Sequence, residues 1–323
     1  MKFLSTYAAA CCFPLMLILF SSCGGDTPLE HGIEYTLSVP EGTDDLTTAR
    51  AAAILNARLE AFGFDESDFD VITQAGSIKV RVAEGIIKDE SNFKRVMLRS
   101  ANLTFRAMYD VTEISAAMDQ ARLTYNRVSG LDSMQIITEP GFWKYLTPAY
   151  SFSEPGPAGS MPIIFHCQAR DTAEVNRILT MDSVHACFPT DMVFMWGNGV
   201  GANGENLLSL LACKVGSNYE LSGEHVTEAQ LADNPNGGSP QVSITFDVTG
   251  AEKWAKMTKA NTGRCIAIEV DQFVYSYPNV QGEITGGLAQ ISGPEAGDME
   301  TLAHLLNSGK MPVRLSLVSA GTF

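Results

Sequence analysis

Basic residues are scarce in this chain of 323 residues. Lys and Arg number 22 against 37 Asp and Glu, which gives a formal net charge of −15 at pH 7. An acidic surface repels phosphate groups. The composition therefore argues against nucleic-acid binding and against electrostatic docking on anionic lipid head groups.

Several catalytic and cofactor-binding motifs are also missing. No serine lies in a Gly-x-Ser-x-Gly elbow, and the five histidines are scattered. The glycine-rich run from Gly197 to Gly204 contains no lysine and lacks the spacing of a phosphate-binding loop. The acidic run from Asp65 to Asp70 lacks the spacing of a calcium loop. We therefore expect no catalytic residues and no cofactor.

Residues of the types that bind metals cluster at two places, His166-Cys167 and His185-Ala-Cys187. Neighbouring side chains on a strand point to opposite faces of the sheet, so His166 and Cys167 would need a bulge to reach one ion. Packing is the favoured interpretation and no metal is expected; a metal site is the alternative. The body cysteines Cys167, Cys187, Cys213 and Cys265 permit three pairings if all are bridged. Buried thiols are favoured over disulfides.

Long apolar runs are limited to the start of the sequence. A basic Met1-Lys2 precedes the apolar stretch from Tyr7 to Phe20, which has the length of a signal peptide and is too short to span a bilayer. Leu19-Phe-Ser-Ser-Cys23 resembles a lipoprotein signal, so we expect removal of residues 1–22, lipid attachment at Cys23 and a tether over residues 23–31. Ordinary cleavage without a lipid is the alternative. The expected location is the cell envelope, facing the periplasm, with the inner or outer membrane left open.

The first part of the body predicts a βαββαβ order. Ile33, Tyr35, Leu37 and Val39 alternate with polar residues as in a half-buried strand. A helix follows that Thr43, Asp44 or Asp45 can cap; its Leu55, Leu59 and Phe62 fall at i, i+4 and i+7, and it ends at Gly63. The acidic run 65–70 is interpreted as a turn that leads into a second strand, and further strands are predicted at 78–82 and 103–109, with a short helix at 93–98 between them. This order is typical of a ferredoxin-like antiparallel sheet with helices on one face.

An irregular middle region follows. A helix is predicted over 112–127, and Asp171-Thr-Ala-Glu174 has the spacing of a capping box before another helix. The segment 207–215 fits either a strand or a short helix. Packing in a core is the favoured interpretation for Phe142 and Trp143; an exposed partner-binding patch beside Pro140 and Pro148 is the alternative.

The last quarter of the chain has the clearest pattern. Residues 242–248 and 266–270 alternate as strands, and the apolar spacing from Ala251 to Thr258 predicts a helix between them. Gly286, Gly287 and Gly293 predict a glycine hinge with backbone conformations that a side chain would hinder. A helix near 299–306 and a strand at 313–317 complete the pattern.

Two groups of motifs carry a resemblance to a known family. The later group consists of Gly250-Ala-Glu-Lys-Trp254, Thr258-Lys-Ala-Asn-Thr-Gly263, Ala267-Ile-Glu-Val-Asp271, Ile284-Thr-Gly-Gly287, Gln290-Ile-Ser-Gly293 and Leu306-Asn-Ser-Gly-Lys-Met-Pro312. The earlier group consists of Ala53-Ile-Leu-Asn-Ala-Arg-Leu-Glu-Ala-Phe-Gly63, Val80-Arg-Val82 and Ala101-Asn-Leu-Thr-Phe-Arg106. In this order they resemble the first periplasmic domain of the SecD/SecDF protein-export subunit. Asp171-Thr-Ala-Glu-Val-Asn176 and Phe188-Pro-Thr-Asp191 resemble the longer inserts of the fused SecDF proteins of Bacteroidetes-like bacteria.

The resemblance implies an α+β fold, with a ferredoxin-like βαββαβ base subdomain and an inserted mixed α/β head subdomain. The expected division is base at 32–110, head at 111–289, and a return to the base at 290–323. No segment after Cys23 has the pattern of the family's membrane helices. We therefore expect a stand-alone, non-catalytic envelope lipoprotein accessory to protein export, whose partners are exported polypeptide or Sec translocase components. A scaffolding lipoprotein that reuses the fold is the alternative.

Overall fold

A computed structural model describes residues 29–149, 161–198, 207–234, 240–292 and 296–323. The predicted leader and lipid-attachment residue Cys23 lie outside these ranges, as does most of the run from Gly197 to Gly204. Among the described residues, no helix combines the length and the apolar character needed to cross a membrane.

The helices begin at capping side chains in several cases. Asp44 accepts a hydrogen bond from the backbone N–H of Thr47 at 2.7 Å and so starts the first helix, as the sequence predicts. The helices of the described ranges are α1 (Asp45–Ala61), α2 (Glu90–Leu98), α3 (Val111–Val128), α4 (Ser133–Thr138), α5 (Thr172–Leu179), α6 (Asp182–His185), α7 (Val248–Ala260) and α8 (Ala296–Asn307).

Several strands alternate more and less buried side chains, whereas others are buried throughout or mostly exposed. They are β1 (Gly32–Ser38), β2 (Phe69–Gln74), β3 (Ser77–Ala83), β4 (Leu103–Ala107), β5 (Leu146–Pro148), β6 (Ile163–Gln168), β7 (Met192–Asn198), β8 (Leu207–Lys214), β9 (Glu220–Ser222), β10 (Val226–Ala232), β11 (Gln241–Phe246), β12 (Ile266–Val270), β13 (Phe273–Ser276), β14 (Leu288–Ser292) and β15 (Ser316–Thr322).

The α+β fold class with a ferredoxin-like sheet is confirmed. A four-stranded antiparallel sheet has the order β15-β1-β3-β2, and α1 and α2 pack on it. Its core contains Tyr35, Leu55 and Val80, all fully buried. The predicted return of the last strand to this sheet is correct, because β15 pairs with β1.

The fourth strand of the βαββαβ pattern lies elsewhere. β4 pairs with β12 and β9 in a different, eight-stranded sheet of order β5-β6-β8-β7-β13-β12-β4-β9. The place beside β1 is taken by β15, and Phe105 of β4 packs instead against Trp254 and Phe246, with ring centroids 5.0 and 5.4 Å away. Local alternation in the sequence marks a strand and does not identify its partner.

The eight-stranded sheet is strongly curved. Leu211 of β8 and Ala267 of β12 share one buried cluster although β7 and β13 lie between their strands. An isolated bridge joins Met108, just after β4, to Cys213 of β8, and the backbone N–H of Tyr109 donates to the carbonyl of Ala212 at 2.9 Å. The sheet therefore bends until β4 meets β8, and the side chains on its concave face are buried against each other.

A three-stranded sheet of order β10-β11-β14 covers the other end of the molecule. One face carries Val242, Ile244 and Ile291, which pack with α7, α8 and the β4 and β12 side of the eight-stranded sheet. α8 contributes Met299 and Leu302 to this core, while its Leu305 contacts a smaller cluster near Val96 of α2. The expectation that the final helix completes the four-stranded sheet is therefore met only in part.

Several local predictions were wrong or incomplete. The predicted glycine hinge contains the strand β14, although Gly287 does adopt φ +65° and a Cβ there would lie 2.9 Å from the Cβ of Ala251. Gly293 lies outside the described ranges. Asp171 precedes α5 without forming a side-chain cap, so the capping box is absent at this described helix. The segment 207–215 is a strand.

Candidate functional site

The predicted partner-binding residues Phe142 and Trp143 lie in a short 3-10 turn after α4. Phe142 is 0% exposed and meets the ring of Tyr125 edge-on at 5.9 Å, so packing in a core, the favoured interpretation, is correct for this residue and the exposed-patch alternative is wrong. Trp143 is half-buried, and the guanidinium of Arg122 lies 5.3 Å from its ring. Burial arises because α3 covers the turn from one side, which the neighbouring prolines did not indicate.

The residues considered for metal binding differ in their surroundings, and His185 among them is exposed. Cys167 is buried in the core between α3, α5 and β6, whereas the Nδ1 atom of His166 lies 3.3 Å from the hydroxyl of Ser209. Burial lowers the pKa of His166 and raises the pKa of Cys167 to about 11. Within the described ranges, no group of three or more His, Cys, Asp or Glu side chains is arranged to hold a metal ion.

An apolar cleft lies along one edge of the three-stranded sheet. Its volume is about 620 Å³, and we call it the β14 cleft. Its walls come from β14, β12, α7 and the segment that follows β13. The lining residues are Ser243, Trp254, Ile266, Ile268, Pro278, Asn279, Val280, Gln281, Gly282, Glu283, Ile284, Leu288, Ala289 and Gln290.

Hydrogen bonds from α7 hold the walls of the cleft. The indole N–H of Trp254 donates to the carbonyl of Leu288 at 3.0 Å, which anchors the start of β14. The hydroxyl of Thr258 accepts from the backbone N–H of Ile284 at 2.9 Å. Val280 exchanges backbone hydrogen bonds with Arg264 and Gly263 after the end of the helix. The cleft is therefore formed by fixed walls rather than by loose loops.

Two large apolar side chains of the cleft remain open to solvent. Leu288 is 52% exposed and Ile284 is 38% exposed. Among the lining residues of the cleft, Glu283 is the one with a charged side chain, and its carboxylate lies 3.1 Å from the ammonium group of Lys259. Apolar walls with exposed anchors suit apolar side chains of a ligand. Sequence analysis did not identify this site, although its motif Ile284-Thr-Gly-Gly287 was singled out as a backbone feature.

A larger cavity of about 880 Å³ lies between α1, α2 and α8. Its lining mixes Asp89, Arg95, Glu300 and His304 with few apolar atoms. The ring of His304 stacks on Phe62 at 5.3 Å. Acidic and basic groups alternate around this cavity, so its charge pattern selects no class of ligand.

The connection from α2 to β4 is held by a buried arginine. Arg58 of α1 is fully buried and donates to the carbonyls of Val96 at 3.1 Å and of Arg99. It also donates to the carbonyls of Ser100 and Gly309 at 3.5 and 3.3 Å. Burial lowers the pKa of Arg58 to about 10, so the side chain stays charged at neutral pH. Arg58 thus hydrogen-bonds to two chain segments, one that follows α2 and one that follows α8. Both segments run between the four-stranded sheet and the rest of the molecule.

Asp271 holds the same connection from the other side. It lies in the two-residue turn between β12 and β13, where both Asp271 and Gln272 have positive φ. Its carboxylate accepts from the backbone N–H groups of Ala101 at 3.2 Å and Asn102 at 2.9 Å. Arg99 lies 3.5 Å from the same carboxylate. The connection is therefore clamped between α1 and the eight-stranded sheet.

Comparison with known proteins places these features in a family context. Residues 209–313, which include the whole β14 cleft, match the family model described as SecDF, P1 head subdomain. The chain is 30% identical over 292 residues to the protein translocase subunit SecD of Rhodothermus marinus, covering 84% of this chain and 46% of that protein. It is 42% identical over 106 residues to the SecD of Acidaminococcus fermentans, covering 32% of this chain and 25% of that protein. The chain thus spans less than half the length of these relatives.

Solved structures agree on the fold. A crystal structure of SecDF in a super-membrane-facing form aligns with 90% of this chain and 30% of its own, at a TM-score of 0.53 and 20% identity. A structure of SecDF described as a membrane component that enhances protein export aligns with 88% of this chain and 98% of its own, at a TM-score of 0.50 and 20% identity. The chain is therefore homologous to SecD subunits and contains a region similar to the P1 head subdomain of SecDF.

Proposed function

We propose that this chain binds unfolded polypeptide in the β14 cleft and acts as a non-catalytic accessory of protein export. The proposal rests on one observation. The cleft is apolar, its walls are held by hydrogen bonds, and two of its apolar side chains, Leu288 and Ile284, are exposed to solvent. Exposed apolar surface of this kind marks an interaction site. An unfolded chain offers the apolar side chains that a folded protein buries.

The similar proteins support the export context. They are translocase subunits by name, and one solved relative is described as enhancing protein export. The partners that we propose are therefore exported polypeptide and Sec translocase components, on the periplasmic side of a membrane. We also propose that a lipid attached at Cys23 anchors the chain to that membrane, and that its inserts are of the type found in the SecDF proteins of Bacteroidetes-like bacteria.

We also propose a division into base and head with the bounds predicted from the sequence. Residues 32–110 and 290–323 form a base that includes the four-stranded sheet, and residues 111–289 form a head that presents most of the cleft. Arg58 and Asp271 support this arrangement because they fix the connection at residues 99–102 from both sides. Trp143, which is half-buried, stays a proposed partner-binding residue, whereas Phe142 lies in the core.

A binding measurement tests the proposal. The full chain is titrated with a secretory precursor held unfolded, and with the same protein after folding, while fluorescence anisotropy reports binding. We expect a dissociation constant in the micromolar range, about −8 kcal/mol, for the unfolded form and none measurable for the folded form. Equal affinity for both forms, or affinity for neither, would contradict the proposal.

A further inference from the structure

The hydrogen-bond pattern of β14 directs half of its backbone groups away from the sheet. The backbone N–H of Phe246 donates to the carbonyl of Gly287 at 2.9 Å, and the register then continues with Ile244 opposite Ala289. In an antiparallel pair, hydrogen-bonded and non-hydrogen-bonded positions alternate. The N–H and C=O groups of Leu288, Gln290 and Ser292 therefore face outward, away from β11.

The opposite edge of the same sheet is closed by a side chain. β10 is the other outer strand, and its Ala229 has outward-facing backbone groups by the same alternation. The amide of Asn307, at the end of α8, donates to the carbonyl of Ala229 at 2.6 Å and accepts from its N–H at 2.9 Å. One side-chain amide thus replaces the backbone pair that a further strand would supply. Natural proteins commonly cover edge strands in this way to prevent unwanted pairing.

Within the described part of the chain, the β14 edge is covered only at its start, where the indole N–H of Trp254 donates to the outward carbonyl of Leu288 at 3.0 Å. Beyond that point, no hydrogen bond within the described residues reaches the backbone N–H or C=O of Gln290, and Leu288, Gln290 and Ser292 have exposed side chains. The open edge borders the β14 cleft, which Leu288, Ala289 and Gln290 help to line. An open row of donors and acceptors beside an apolar cleft matches the two parts of an extended chain, its backbone and its alternate side chains.

We propose that an extended segment of unfolded polypeptide pairs with β14 as a fourth strand of this sheet. Every second side chain of the segment then enters the β14 cleft. The proposal rests on the proposed function and specifies how the polypeptide is held. Backbone pairing requires no particular sequence, so many different chains fit the same edge.

Two features define the preferred segment. The cleft wall is apolar at Ile266, Ile268 and Val280, so the inward side chains are apolar. The lining contains one acidic and no basic side chain, and the whole chain carries a formal charge of −15. Charge complementarity therefore favours Lys or Arg at the outward positions of the bound segment and disfavours Asp and Glu.

A proline variant tests the pairing directly. Gln290→Pro removes one outward backbone donor and leaves the hydrogen bonds between β14 and β11, because proline is tolerated at outward positions of edge strands. Gln290→Ala is the matched control for the loss of the side chain. The probe is a nine-residue peptide of alternating Val and Lys with blocked ends, titrated into each full-length variant by fluorescence anisotropy. We expect Gln290→Pro to bind at least tenfold more weakly than Gln290→Ala.

A measurement on the unmodified protein covers the case in which the proline variant does not fold. Amide hydrogen exchange at Gln290 and Ser292 is followed with and without the peptide, and we expect exchange at both amides to slow when the peptide is present. The peptide could bind although Gln290→Pro does not weaken its affinity and exchange at the two amides does not slow. That result would show that strand addition is wrong, while the proposal of polypeptide binding would remain. If no peptide or unfolded precursor binds, both proposals fail. Protection that grows with protein concentration alone would identify a second copy of this chain as the occupant and overturn the inference.

Discussion

Arg58 and Asp271 hydrogen-bond to the same backbone segment, residues 99–102, from opposite sides. Arg58 donates to the carbonyls of Arg99 and Ser100, and Asp271 accepts from the N–H groups of Ala101 and Asn102. The two charges are close enough for the carboxylate to oppose the lowering of the arginine's pKa by burial. The segment that links the four-stranded sheet to the eight-stranded sheet is therefore fixed by groups from both.

The first prediction concerns the stability that Arg58 supplies. Arg58→Met leaves several buried carbonyls without a donor, which lowers the free energy of unfolding by about 3 kcal/mol. Arg58→Lys keeps the charge but loses the forked geometry, so we expect a smaller loss. Urea denaturation measures both, with the exposed Arg50→Met of the same helix as a control expected within about 0.5 kcal/mol of the wild type. A loss for Arg58→Met no larger than for Arg50→Met would refute the clamp.

The second prediction concerns Asp271. Asp271→Asn tolerates the positive φ of its turn but loses the charge opposite Arg99 and one strong acceptor. We expect the amides of Ala101 and Asn102 to exchange about tenfold faster, which corresponds to about 1.4 kcal/mol. Hydrogen exchange resolved by residue checks this, with the exposed Asp233→Asn as a control. Unchanged exchange at both amides would show that Asp271 does not hold the segment.

The third prediction separates binding from stability at the β14 cleft. Leu288→Ser removes a half-exposed apolar anchor, so we expect about tenfold weaker binding of unfolded polypeptide with a change in stability of about 0.5 kcal/mol or less. Leu46→Ser is the matched control, since Leu46 is also exposed but lies on α1. Equal affinity for the two variants would remove Leu288 from the binding site.

The fourth prediction concerns the cysteines. Cys167 and Cys213 are buried thiols, and burial raises their pKa values to about 11 and about 12. Because the thiolate is the reactive form, both should resist alkylation at pH 8, whereas the half-buried Cys187 reacts first. Mass spectrometry after timed alkylation distinguishes the sites, with the denatured protein as the control. Labelling of Cys213 as fast as that of Cys187 in the native protein would contradict the buried placement.

The sequence predicted elements whose pattern is local. Period-two alternation located β1, β3, β11 and β12, and apolar spacing with capping residues located α1. The pairing of β1 with β15 joins residues at opposite ends of the described chain, so no local pattern indicates it. The resemblance to SecD supplied the return of the last strand, and the structure then placed β15 where β4 was expected.

Sequence patterns did not predict the candidate site. The β14 cleft is built from separate segments that meet only in the folded chain, around Trp254, Ile268, Val280 and Leu288. Its key strand is short and follows a pair of glycines, so the pattern indicated a hinge. The nearby prolines left an exposed patch open as the alternative for Phe142, and packing with Tyr125 of α3 decides for burial. The position of the cleft and the burial of Phe142 both depend on tertiary contacts, which local sequence patterns do not contain.

Site-specific photo-crosslinking tests the central claim of polypeptide binding most directly. A photoreactive amino acid replaces Leu288 in one variant and Leu46 in another, and each full-length protein is irradiated in cells that export a tagged precursor. We predict that crosslinks to the precursor form from position 288 and not from position 46, and that they disappear when the precursor is allowed to fold before irradiation. Precursor crosslinks of equal yield from both positions, or none from position 288, would contradict binding in the β14 cleft.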